Sequence, residues 1–184
     1  MSTPRNARVV ALAVALAATA SPSLAEPLRF GPHDVASLFT ISKSENRNEV
    51  HYGIMLDPAC VPVGAAPVFA YWRMRERGPL ATEPLLSREV PVYGIVEPQR
   101  VERAERGGRT VLRLRALPNR PIAVDAAAEG QGCAATARAM IGGVAADLTS
   151  VFVQLRWPFG IDGIVMSGRA DGDGHAVRER LEAP

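Results

Sequence analysis

Alternation of apolar and polar positions dominates this chain. Val50, Tyr52, Ile54 and Leu56 alternate with His51, Gly53, Met55 and Asp57, the period of two expected of a strand with one buried face. Val68, Ala70, Trp72 and Met74 alternate with Phe69, Tyr71, Arg73 and Arg75. Both faces of that segment start apolar and its far end turns basic, which predicts a central strand whose end emerges into water. Val111 to Leu117 sets Leu112, Leu114 and Ala116 against Arg113, Arg115 and Leu117. Ser150 to Trp157 sets Val151, Val153, Leu155 and Trp157 against Phe152, Gln154 and Arg156. Shorter strand-like runs are Leu38–Ser42, Val92–Val96, Arg100–Ala104, Ile122–Val124 and Ile164–Met166.

The punctuation between these runs is that of turns. Ser44–Asn48, Gly107-Gly108, Asn119-Arg120-Pro121, Gly160–Gly163 and Asp171–Gly174 all carry turn chemistry. Thr136 to Ile141 is Ala-rich and suits helix or strand. The Gly142-Gly143 pair that follows it favours strand. Thr82–Glu89 reads as one or two helical turns, with Thr82 as N-cap and Pro84 in the first turn. Ala176–Leu181 reads as a frayed helix. No helix of ten or more residues separates successive strands, which argues against parallel βαβ architecture.

The expected fold is therefore mainly β: a single antiparallel β-barrel of about eight strands, lipocalin-like in build, with a β-sandwich as the alternative. Its core is expected within about residues 38–170.

The first 25 residues are of another kind. Arg5 and Arg8 precede an unbroken apolar run from Val9 to Ala18, and Ser23 and Ala25 supply small residues at minus three and minus one. That is the layout of a secretory signal peptide, with cleavage expected after Ala25 and residues 26–184 forming one β-rich domain. Periplasmic or secreted localisation follows. Nothing after Ala18 is apolar for the roughly 20 residues a helical membrane span needs. Removing Arg5 and Arg8 brings the basic residues level with the 19 acidic ones. A neutral mature chain disfavours a nucleic-acid partner. Lys43 is the single lysine among the 21 basic residues.

Cys60 and Cys133 are the two cysteines of the chain. An even count in an exported protein favours a disulfide, and each lies among loop-forming residues. Closing so long a loop stabilises by about 4 kcal/mol on the chain-entropy model.

Catalytic signatures are absent. Ser167-Gly168 lacks the preceding glycine of a nucleophile elbow, and no phosphate-binding or dinucleotide fingerprint occurs. His33, His51 and His175 are too far apart in sequence to suggest metal-ligand spacing. Asp171, Asp173 and Glu182 fall at calcium-loop positions, but Ala176 stands where that loop needs glycine, so a plain Asp-Gly turn is the better reading. No catalytic residue, metal site or cofactor is assigned.

Two constellations remain. Tyr52, Tyr71, Trp72 and Tyr93, with Phe69, crowd into half of a chain poor in aromatics. They either fill the core or line a ligand cavity. Arg103, Arg106, Arg109, Arg113 and Arg115, flanked by Arg100 and Arg120, form a basic stretch: either a solvated hairpin face or a patch for an anionic surface.

Several separated phrases also carry a resemblance. They are Leu38-Phe39-Thr40-Ile41-Ser42-Lys43-Ser44 with Asn46 and Asn48, then Val50-His51-Tyr52. Pro67-Val68 with Tyr71-Trp72 follows, then Glu89 with Tyr93-Gly94-Ile95, and last Gly168 with Asp171 and Gly174. Together they resemble a bacterial exported family known as domain of unknown function number forty-eight thirty-three. The resemblance implies a compact secreted or periplasmic domain with a β-barrel-like fold. It implies no activity, substrate or cofactor.

The function expected on these grounds is non-catalytic: binding a small apolar or amphipathic ligand, or acting at the cell envelope. The alternative is a structural or protein-interaction module that uses the arginine-rich hairpin. An enzyme with an unrecognised site ranks last.

Overall fold

The computed structural model describes residues 29–30, 33–77, 81–156 and 160–182. The leader-like segment 1–25 and Trp157 lie outside them. Twelve strands form one sheet: β1 (Arg29–Phe30), β2 (His33–Lys43), β3 (Glu49–Leu56), β4 (Val68–Arg73), β5 (Thr82–Pro84), β6 (Arg100–Arg103), β7 (Gly108–Leu114), β8 (Leu117–Glu129), β9 (Gly132–Ile141), β10 (Val144–Arg156), β11 (Gly160–Ala170) and β12 (Ala176–Glu182). A single α-helical turn, α1 (Val90–Tyr93), lies between β5 and β6.

The sheet curls strongly but stays open, a half-barrel where the sequence predicts a closed lipocalin-like barrel. Its main path runs β5-β4-β3-β2-β10-β9-β8-β7-β6. Strand β10 explains the shape. Residues Val144–Asp147 pair with β9 and residues Ser150–Val153 pair with β2. The ladder therefore forks along this strand, while β11 pairs with β10 and carries β12 beyond it. The β10–β2 pairing is parallel, so the sheet is mixed rather than wholly antiparallel.

The end strands β5 and β6 do not pair. The chain between them is spent on α1 and an irregular connection. Near that opening Gln99 stands in for a strand residue. Its Nε2 donates to the Val68 carbonyl at 2.7 Å, and its Oε1 accepts from the Val68 N–H at 3.1 Å.

Several local expectations give way to sheet contacts. Thr82–Pro84 is strand, because Tyr71–Arg73 of β4 offers it a free edge. The helical turn falls later, at Val90–Tyr93, with Pro91 in its first turn. Ala176–Leu181 is strand β12 rather than helix. There Val177, Glu179 and Leu181 are half-buried and alternate with exposed Ala176, Arg178, Arg180 and Glu182. Asn119-Arg120-Pro121 lies within β8, where register jumps from Arg113–Pro121 to Leu114–Leu117 and the intervening residues bulge out. Gly160–Gly163 is likewise the start of β11. Gly142-Gly143 is the expected hairpin turn, with φ of +60° and +82°, the left-handed values that a two-residue hairpin demands.

The core lies inside the curl. Val50, Tyr52, Ile54 and Leu56, the apolar positions of the clearest alternating run, all point there. They meet Ile122 and Val124 of β8, Ala137 and Ile141 of β9, and Val151 and Val153 of β10. The sheet continues to Glu182, beyond the expected core limit near residue 170. Cys60, after β3, and Cys133, in β9, are joined in a disulfide with Cα atoms 5.3 Å apart. It ties the β3–β4 loop to the tip of the β8–β9 hairpin.

Candidate functional site

Lys43 ends β2, and the chain turns at once through Asn46 and Asn48 into β3. Trp72 stands near the end of β4, and Leu86, Arg88 and Glu89 precede α1. These residues, with Met74, Arg77, Glu83 and Pro84, enclose a cleft of about 340 Å³. The volume falls within the usual range for small-ligand sites, about 300–1,000 Å³.

An aromatic series leads from the core to this cleft. Phe39 and Tyr52 stack with centroids 4.5 Å apart. The Tyr52 hydroxyl donates to the Tyr93 carbonyl at 2.5 Å. Tyr93 meets Trp72 edge-on at 5.4 Å. The Lys43 Nζ then lies 5.3 Å from the Trp72 ring centroid, a cation–π contact at the cleft wall.

The polar groups of the cleft are unequally satisfied. The Trp72 indole N–H donates to Glu89 Oε2 at 2.7 Å, and the Leu86 N–H donates to the same oxygen at 2.9 Å. Arg77 is ion-paired with Glu83. Asn46 Oδ1 accepts the Asn48 N–H at 3.1 Å and so sets the position of Asn48. Asn48 is only 8% exposed, and its Oδ1 has no hydrogen-bond partner among the described residues. A buried acceptor left unpaired costs about 1–3 kcal/mol, so its presence at a cleft wall needs a reason.

The four aromatics singled out in the sequence take different places. Tyr52 is wholly buried in the core. Trp72 lines the cleft, and Tyr93 lines a smaller neighbouring one with Glu45, Val92 and Leu155. Tyr71 faces the other side of the sheet, near His51 and Phe69. There His51 Nε2 lies 3.1 Å from Glu49 Oε2, which also accepts from Arg75 at 2.7 Å. Burial drives the His51 ring below its ordinary pKa, against the pull of Glu49.

The arginine stretch does not form one face. Arg103 turns under the hairpin to donate to the carbonyls of Pro62 and Gly64. Arg109 pairs with Asp125 at 3.1 Å, within a cross-strand series that continues through Arg138 to Asp147. Arg113 is exposed on β7, Arg106 lies in the β6–β7 turn, and Arg115 borders a separate apolar cleft with Leu117 and Ile161. Asp173 is engaged by its own turn, accepting from the His175 N–H at 3.1 Å and lying 2.6 Å from the His175 ring. Among the described residues, no group of three or more His, Cys, Asp or Glu converges as a metal set.

Lys43, Asn46, Asn48 and Glu89 are the cleft residues that reading for chemistry passes over. Each is unremarkable in its own segment, although Lys43 stands out as the single lysine. All four nonetheless belong to the phrases that carry the family resemblance, and the cleft joins residues of three of them: Lys43, Asn46 and Asn48 of the first, Trp72, and Glu89. The model of one family, the domain of unknown function DUF4833, matches residues 39–180. The chain belongs to this family. No curated protein and no solved structure matches it. Within this DUF4833 domain, the match spans every strand from β3 to β11, and the whole cleft lies inside it.

Proposed function

We propose that this DUF4833 protein is an exported, non-catalytic binding protein whose small ligand seats in the Lys43–Asn48–Trp72 cleft. The observation that carries this reading is the buried Asn48 carboxamide oxygen, which lacks a partner beside a cleft of ligand size. A ligand hydroxyl or N–H would supply the missing donor. The oxygen is shut off from the cleft in this conformation, and the soft χ2 torsion of Asn would have to turn it toward an arriving donor.

Binding without chemistry fits the carboxylates. Glu89 is held by Trp72 and Leu86, and Glu83 by Arg77, so neither is poised as a general base. Of the apolar or amphipathic ligand expected from the aromatics, the cleft lining favours the amphipathic one. Tyr52 and Phe39 fill the core, and the cleft at its margin is largely polar, with Trp72, Met74, Pro84 and Leu86 as its apolar wall. Action outside the cytoplasm fits the Cys60–Cys133 bridge and the leader-like sequence of residues 1–25.

Native mass spectrometry of the protein purified from the envelope of its own cells tests the reading. A retained small molecule, lost from Asn48→Leu, is expected. An empty protein, or equal retention by the variant, refutes it.

A further inference from the structure

We propose that the ligand of this cleft is an anionic polyol, a sugar acid or sugar phosphate; the inference rests on the cleft being the binding site. Five charged side chains line it, and their pairing leaves an imbalance. Glu83 is neutralised by Arg77. Glu89 accepts two hydrogen bonds, from the indole and from a backbone N–H. Lys43 and Arg88 have no carboxylate partner among the described residues. The cleft therefore offers two cations to a ligand and no carboxylate that lacks a donor or an ion-pair partner.

The second requirement comes from Asn48. Its unpaired oxygen accepts only, so the ligand must also carry a donor. Inorganic phosphate or a plain carboxylate meets the cations but brings no apolar face. A neutral sugar meets Asn48 but leaves Lys43 and Arg88 unanswered. A sugar bearing a carboxylate or phosphate meets both, and its C–H face suits the wall of Trp72, Met74, Pro84 and Leu86. The cleft volume of about 340 Å³ suits a single sugar ring with its anionic substituent.

Lys43 is held for this exchange. Its ammonium rests on the Trp72 ring instead of on a carboxylate. A cation–π contact is weaker than a charge-assisted hydrogen bond, so an arriving anion draws the ammonium off the ring and opens the indole to the ligand.

As the only lysine, Lys43 is also the reporter. Amine acylation of the folded protein reaches Lys43 and the N-terminal amine, and peptide mass spectrometry separates the two. Four probes are compared: glucuronate, glucose 6-phosphate, glucose and inorganic phosphate. Glucuronate or glucose 6-phosphate is expected to slow Lys43 acylation by about tenfold at ten times its dissociation constant, with the N-terminal rate unchanged. Which of the two protects tells carboxylate from phosphate. Glucose and phosphate are expected to give no protection, and Asn48→Ala, checked for native circular dichroism, should lose it. Equal protection by glucose overturns the anionic class but not the site. Equal protection by inorganic phosphate overturns the polyol. Protection by none of the four, in a protein that retains a molecule from its envelope, also overturns the class and leaves the site standing.

Discussion

Gln99 hydrogen-bonds both backbone groups of Val68, one residue doing through its side chain what a paired strand does through its backbone. The contact joins residues 31 apart, across the opening that β5 and β6 leave unpaired. Both partners are buried, so the two Val68 groups have no solvent to fall back on. Gln99→Leu keeps the side-chain volume but strands both of them. A loss of about 2 kcal/mol or more is expected, from the cost of buried unsatisfied groups. Urea unfolding of the two proteins measures it, and a variant with an unchanged midpoint would show that the amide does not hold the opening.

The Cys60–Cys133 bridge closes a loop with a sequence separation of 73. On the chain-entropy model such a cross-link removes about 4 kcal/mol of unfolded-state freedom. Cys60→Ser with Cys133→Ser is expected to lower stability by an amount near this. The same fall should follow from reductant with the native protein, and reductant should leave the double variant unaffected. Denaturation with and without reductant checks both.

The three tyrosines, Tyr52, Tyr71 and Tyr93, all have phenol pKa values raised above 10 by burial. For Tyr93 the nearby charges of Glu89 and Glu45 add to the rise, and for Tyr71 the Arg73 charge works against it. In the unfolded chain these phenols ionise at about pH 10. The folded state holds their protons longer, so their contribution to stability is complete below pH 10 and is lost as pH rises beyond it. Phenolate absorbance near 295 nm is therefore expected to appear together with the loss of β circular dichroism. A phenolate step completed at about pH 10 with the fold intact would contradict the burial of all three rings.

Much of the fold was legible because side-chain alternation is local. The run Val50 to Leu56 is strand β3, and the positions that alternation marks as buried are buried, but His51 and Gly53 of the opposite face are buried too, so the strand does not keep one face in water. Gly142-Gly143 could be read as a hairpin turn for the same reason, since its φ values follow from two adjacent residues. The sequence of Thr82–Pro84 and Ala176–Leu181 predicts helix, because nothing in those short segments reports the open edges of β4 and β11 against which they lie. An edge in need of a partner overrides a weak local preference for helix.

The cleft was only partly legible. Trp72 stands out because aromatics are scarce in this chain, whereas Lys43, although the single lysine, reads in the sequence as a bias of composition and not as a site residue. Asn48 and Glu89 gave no signal of their own. The loss of a partner for Asn48 Oδ1, and the capture of Glu89 by Trp72, exist only once β2, β4 and the chain before α1 have been brought together.

The residue order by itself determined a β-rich chain, most of its alternating strands, several of its turns and a single pair of cysteines able to bond. The tertiary structure alone decided that the sheet forks at β10 and stays open, and that Lys43, Asn48, Trp72 and Glu89 share one cleft. The division has a physical cause. Which way a side chain points along a strand depends on its neighbours in sequence, whereas which edge a strand takes, and which polar atom is left without a partner, depends on groups far along the chain that compete for the same hydrogen bonds.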